Sequence, residues 1–308
     1  MKKKFVMIDF FLKHISMFFA YFVLLVIFGL FIVLYINSKD AINHFGFFSF
    51  VTSNVWSPAF DKFGGLIALI GTFLTTVISA IIAIPIALGI AIFLVEICPN
   101  FLKTPIGIAI ELLAAIPSVI YGFWGLFYLG PLIEKYVQPF FNATLVKLPI
   151  VGQYFYGYSS SVSLFTASVV LAIMIIPFTA ALTRDALKIT PDLLKESAYA
   201  LGATKWETIS KVMFRYSKGA IIGAVLISLG RAIGETMAVT FVIGNQDSLP
   251  TSLMSATTTV TATIANEFTE ASSHLYLSSM YLLAFILFLL SFLLIIGSKM
   301  FFLRKARD

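Results

Sequence analysis

LIALIGTFLTTVISAIIAIPIALGIAIFLV, residues Leu66 to Val95, runs for 30 residues without a charged side chain. A helix rising 1.5 Å per residue crosses a hydrocarbon layer about 30 Å thick in roughly 20 residues, so this stretch spans a membrane with turns to spare. Five more stretches pass the same test: Ser16 to Ile36, Ile106 to Ile133, Val162 to Thr183, Ala220 to Ile243 and Leu275 to Phe302. The 308 residues are 59% hydrophobic and 12% charged, about half the charged share of a soluble domain. These observations exclude a water-soluble fold and predict an all-α membrane protein with six transmembrane helices. Residues 1–65 hold the first helix and an external loop, and 66–308 the main transmembrane domain.

Lys2, Lys3 and Lys4 precede the first apolar run, as in a signal peptide. The run is too long for one, and Tyr35-Ile36-Asn37 offers no small-residue cleavage site, so the helix is expected to stay as an anchor. Cys98 is the lone cysteine and allows no internal disulfide. The formal charge of +6 lies beside the apolar runs, where insertion topology explains it better than a nucleic-acid groove does. Sixteen of the 21 Lys and Arg fall in the N-terminus, Lys103, the Arg184–Lys218 loop and the C-terminus. The opposite loops hold only Lys39, Lys62, Lys135 and Lys147. Basic residues remain in the cytoplasm, so both termini are expected there.

The loop at about 184–218 carries helix punctuation. Thr190 before Pro191 and Asp192 predicts an N-cap with proline at the first helical position. Gly202 predicts the stop, and Thr204 with Glu207 predicts a capping box opening a second helix. Such a hairpin is either a surface amphipathic element or a dock for a cytoplasmic partner.

Glu196-Ser197-Ala198 with Gly202 six residues after Glu196, and Val212 ten residues further, resembles the EAA loop of binding-protein-dependent ABC permeases. Glu111-Leu-Leu-Ala-Ala-Ile-Pro-Ser-Val-Ile-Tyr-Gly122 and Gly230-Arg-Ala-Ile-Gly-Glu-Thr-Met-Ala-Val-Thr-Phe-Val-Ile-Gly-Asn245 are similar to the PstC type, from bacterial phosphate importers. The likeness runs from about Trp56 to the C-terminus. It implies a type I ABC importer permease fold in the bacterial inner membrane and a PstA-like sister permease. It further implies a PstB-like ATPase dimer, a PstS-like periplasmic phosphate-binding protein, and inorganic phosphate as substrate. By the same resemblance Glu196, Ser197, Ala198 and Gly202 couple to the ATPase. Many relatives have Leu-Pro where this chain has Phe214-Arg215, so the second helix is expected to enter the fifth span without the usual bend.

Arg231 stands eleven residues into the fifth span, roughly 16 Å deep and near the midplane. A central Arg costs on the order of 2.5 to 3.5 kcal/mol on insertion scales, so it needs a partner or a wet cavity. Glu235, one turn later, is the expected partner. One reading is an internal i,i+4 ion pair that hides two charges. The other places both residues on the substrate pathway: the guanidinium meets phosphate oxygens, and the carboxylate prevents a trap. Glu235 would also accept a hydrogen bond from the P–OH of hydrogen phosphate, which sulfate cannot donate.

Gly219 with Gly223 and Gly230 with Gly234 are spaced for close helix contact, at an interface or internally. Glu111 reads as an interfacial carboxylate bonded to a neighbouring helix, and Pro85, Pro117 and Pro177 should kink their spans. The loop from Gly244 to His274 holds Asp247, Glu267 and Glu270 but no Lys or Arg. Its Thr257–Thr263 stretch and Asn266-Glu267-Phe268 read as outer gate, binding-protein dock or ordinary solvated loop.

No GxxxxGK[ST] cradle occurs, so ATP hydrolysis must come from a partner. His14, His44 and His274 are scattered and assemble no HExxH, metal or catalytic site, and no cofactor is implied. Another oxyanion permease (molybdate or sulfate) is the nearest alternative, ahead of a proton-coupled secondary anion transporter.

Overall fold

The computed structural model describes residues 2–149, 152–157 and 160–304; of the basic residues counted above, Lys305 and Arg307 lie outside them. Among the described residues there are helices and two isolated bridges, and no strand. Long helices are what an apolar solvent demands, because each N–H and C=O must be satisfied within its own segment.

Four helices are long and apolar enough to cross: α1 (Lys2–Asn37), α4 (Leu66–Ile97), α7 (Leu164–Lys188) and α13 (His274–Arg304). The short helices α2 (Lys39–Phe45) and α3 (Phe47–Thr52) lie between α1 and α4. Two bent pairs raise the number of crossings to six if each is one span. The first is α5 (Asn100–Ala114) with α6 (Ser118–Lys147), bent by 85°, and the second α9 (Lys205–Tyr216) with α10 (Lys218–Ile233), bent by 75°.

Pro117 therefore does more than kink its span. It closes a break at Ala115–Pro117 and serves as the N-cap of the following helix, because its ring cannot continue a hydrogen-bonded turn. Pro85 and Pro177 lie inside helices that run on past them. The fifth span, expected as one helix from Ala220 to Ile243, is two: α10 ends at Ile233 and α11 (Met237–Val242) begins after Gly234–Thr236.

α7 is the hub. Within its apolar window 67% of residues are buried in the chain, against 28% for α4 and α13 and none for α1. Small side chains let its neighbours approach closely: Ala83 of α4, Ala232 of α10 and Ala238 of α11 pack on Val170, Leu171, Met174 and Ile175. A second cluster joins α3, α4 and the start of α13 through Phe50, Ala68, Met280 and Leu283. α1 touches the bundle mainly along α13, where the rings of Phe31 and Phe285 are 5.3 Å apart.

After α11 the chain folds back inward. Gly71 of α4 makes room for this return, since a Cβ there would lie 1.9 Å from the Thr258 carbonyl oxygen. The Val260 N–H donates to Thr72 Oγ1 at 3.0 Å and opens α12 (Val260–Glu267), which Thr259 caps. Thr257, Thr258, Thr259 and Thr263 are all buried, so this part of the outer loop is folded structure and not solvated chain.

Candidate functional site

Two regions carry the chemistry: the hairpin of α8 (Asp192–Ala200) and α9, and the break between α10 and α11.

In the hairpin, Gly202 adopts φ +82°, the left-handed turn that a side chain disfavours. Thr204 and Glu207 form the expected capping box: the Glu207 N–H donates to Thr204 Oγ1 at 3.3 Å, and the Thr204 N–H to Glu207 Oε2 at 3.0 Å. The Thr204 backbone bond, with Lys211 at 3.0 Å, draws the Glu207 carboxyl down to about 2.

Thr190 is not the cap of α8. Pro191 occupies that position, one residue later than expected, and the Thr190 hydroxyl bonds Ser217 Oγ at 2.9 Å. Ser217 also marks the 75° bend into α10, so the straight junction expected from Phe214-Arg215 is corrected. Buried Ser217, bonded to Thr190 just beyond α7, stands at this turn, while Ile209 and Met213 pack on Ala91 and Leu187.

The hairpin is bolted to α4 by Lys195 and Glu96, 3.1 Å apart with side chains only 16% and 11% exposed. Its outer face presents Glu196 and Ser197 with Leu193, Leu201 and Trp206, Leu201 being 89% exposed. Ala198 is half-buried and Gly202 exposed. The apolar part of this face was missed in the sequence, although Leu201 and Trp206 flank the Gly202 turn.

At the membrane break, Arg231 and Glu235 are not an ion pair. α10 stops at Ile233, with the Gly234 N–H on the Gly230 carbonyl at 3.3 Å, so the i,i+4 geometry needed for pairing ends before Glu235. Glu235 Oε1 instead accepts the Ala238 N–H at 3.2 Å in the first turn of α11. Its backbone carbonyl accepts Thr261 Oγ1 at 2.7 Å, which ties the inward-folding loop to the break. The Arg231 guanidinium lies 4.8 Å from the Phe178 ring centroid. No spacing rule points to Phe178, because it is brought there by α7.

Glu111 behaves as read, accepting from Arg184 at 2.8 Å at the end of α7. Among the described residues nothing lies within 4 Å of a Cβ placed on Gly219 or Gly223, so their spacing brings no described neighbour close. Glu267 is held by Trp56 Nε1 at 2.8 Å and by the Tyr276 hydroxyl. A cavity of about 910 Å³ between α4, α10 and α13 is apolar, lined by Leu69, Phe73, Ile81, Leu229 and Leu290. With no charged group in it, this is no place for an anion. Among the described residues no cluster suits a metal ion.

Residues 63–306 match the family model described as binding-protein-dependent transport system inner membrane component. The chain is 47% identical over 285 residues to a phosphate transport system permease protein PstC of Mesorhizobium japonicum, covering 92% of this chain and 87% of that one. It is 46% identical over 297 residues to the PstC of Pasteurella multocida, covering 96% and 92%. Among solved structures, an inward-facing MetNI methionine ABC transporter chain superposes with a TM-score of 0.54 at 17% identity, over 78% of this chain and 95% of that one. That likeness is one of fold.

Proposed function

The chain belongs to the family of binding-protein-dependent transport system inner membrane components, and from that premise we propose that it is the PstC-type permease subunit of an ATP-driven phosphate importer. It forms half of the translocation pathway and is not itself an enzyme. Its partners are a PstA-like permease, a PstB-like ATPase dimer and a PstS-like binding protein. It sits in the bacterial inner membrane with both termini in the cytoplasm. Glu196, Ser197, Ala198 and Gly202 lie on the hairpin that seats in the ATPase. Phosphate is favoured over molybdate or sulfate by the relatives at 46 and 47% identity, which are phosphate permeases.

The observation that carries the pathway reading is the half-buried Arg231 beside a mid-span break, with no carboxylate among the described residues on it. A helix interrupted at membrane depth persists where it is enclosed by protein or lines a wet cavity. An uncancelled guanidinium there offers paired N–H donors to a tetrahedral oxyanion. Glu235 shapes the far side of the break: one carboxylate oxygen holds α11, and the other is available to a P–OH.

Phosphate uptake at verified membrane expression tests this. Arg231→Gln should lose about 10- to 100-fold in transport, the worth of a charge-assisted hydrogen bond at about 1.5 to 3 kcal/mol. Uptake at the wild-type rate would remove Arg231 from the pathway. Glu235→Gln should narrow the preference for phosphate over sulfate, and unchanged discrimination removes the P–OH contact.

A further inference from the structure

We propose that Phe178 is a positioning residue that holds the Arg231 guanidinium at rest while leaving its N–H donors open to the transported oxyanion. The proposal rests on the pathway reading of Arg231 and adds how that side chain is kept ready.

A buried cation can be satisfied in two ways. A carboxylate takes two guanidinium donors side by side and cancels the charge, so an arriving anion must compete for the same edge. An aromatic ring attracts the cation through its quadrupole and has no lone pair to receive an N–H. The five donors of Arg then stay uncommitted, and the positive charge remains. This chain uses the ring. The guanidinium carbon lies 4.8 Å from the Phe178 centroid. Among the described residues no carboxylate or other oxygen acceptor lies at hydrogen-bonding distance from Arg231; its guanidinium rests on the Phe178 ring, and Tyr121 lies within range of its charge.

The rest of the site keeps it so. Glu235, the carboxylate closest in sequence, is drawn to the Ala238 N–H and lies beyond the end of α10. Phe178 stands on α7, the most buried span, between Pro177 and Thr179, both buried. Its own ring is half-buried, so one part is packed and another is free for the cation. Arg231 is also half-buried, within reach of a solute in the break. A cation–ring contact is weaker than a bidentate oxyanion contact, so a passing phosphate displaces it, and the ring recaptures the guanidinium after release.

The test uses the complete assembly reconstituted in vesicles with its binding protein, measuring phosphate delivered and ATP hydrolysed in the same sample. Phe178→Leu should deliver about three- to tenfold less phosphate per ATP, with binding-protein-stimulated hydrolysis within twofold of wild type. Phe178→Tyr and Phe178→Trp retain a ring and should stay within about twofold in both readouts. Wild-type delivery in Phe178→Leu overturns the proposal, and so does equal loss in the Leu, Tyr and Trp variants. If Phe178→Leu does not assemble, the Tyr and Trp variants decide: a several-fold loss in both overturns it. Loss in Arg231→Gln with none in Phe178→Leu leaves the pathway and removes the ring's role; no loss in Arg231→Gln removes both.

Discussion

The α8–α9 hairpin and the break between α10 and α11 treat charge in opposite ways. In the hairpin charge is paired locally: Glu207 with Lys211 and its own cap, Lys195 with Asp192 and with Glu96. At the break Arg231 has a ring for company, and Glu235 faces backbone. Water explains the difference. A solvated helix end gains from charges near it and loses little when they are screened, whereas a charge at membrane depth persists only where something must meet it. Charge is cancelled in the hairpin and left uncancelled at the break.

The sharpest way to break the comparison is at Gly71. A Cβ there would lie 1.9 Å from the Thr258 carbonyl oxygen, and backbone cannot swing aside as a side chain can. Gly71→Val should cost about 3 kcal/mol or more and detach the inward-folding loop from α4. A large drop in the melting temperature of the purified complex is expected. An unchanged melting temperature would mean that the loop does not pack there.

A smaller effect is expected at the bolt between hairpin and span. Removing one partner of a fully buried pair costs about 3 to 5 kcal/mol, but Lys195 and Glu96 each retain some exposure. Lys195→Met should therefore cost about 2 kcal/mol and lower the phosphate moved per ATP. If coupling stays intact, the hairpin transmits force by another route.

The smallest effect lies in the cap. Thr204→Ala should cost about 1 kcal/mol, seen as faster amide exchange over Ala203–Glu207 only. Because Glu207 is held down near 2, below the ordinary carboxylate value of about 4.3, its support for the cap is complete above that value. The support fades as pH falls through about 2. Exchange corrected for intrinsic rate should match at pH 7 and pH 5, and early loosening would show that the capping box is not formed.

The hairpin was legible down to single residues, apart from a one-residue shift of the α8 cap and the bend at Ser217. Caps, the Gly202 turn and the box at Thr204 and Glu207 are satisfied within four residues of one another. The bend was not legible, because its hydrogen bond comes from Thr190 on the other side of the hairpin. At the break, the depth and rarity of Arg231 were readable, but its partner was not. The i,i+4 rule assumes an unbroken helix, and α10 ends between the two charges.

Apolar length and short capping patterns determined by themselves that this chain is a membrane bundle with a capped helical hairpin, since each depends only on neighbours along the chain and on the solvent. Tertiary structure alone decided that Arg231 meets Phe178, that Glu235 caps α11, and that the threonine-rich loop folds back against Gly71. Those contacts join segments far apart in sequence, and they exist only because α7 gathers α4, α10 and α11 around a single buried axis.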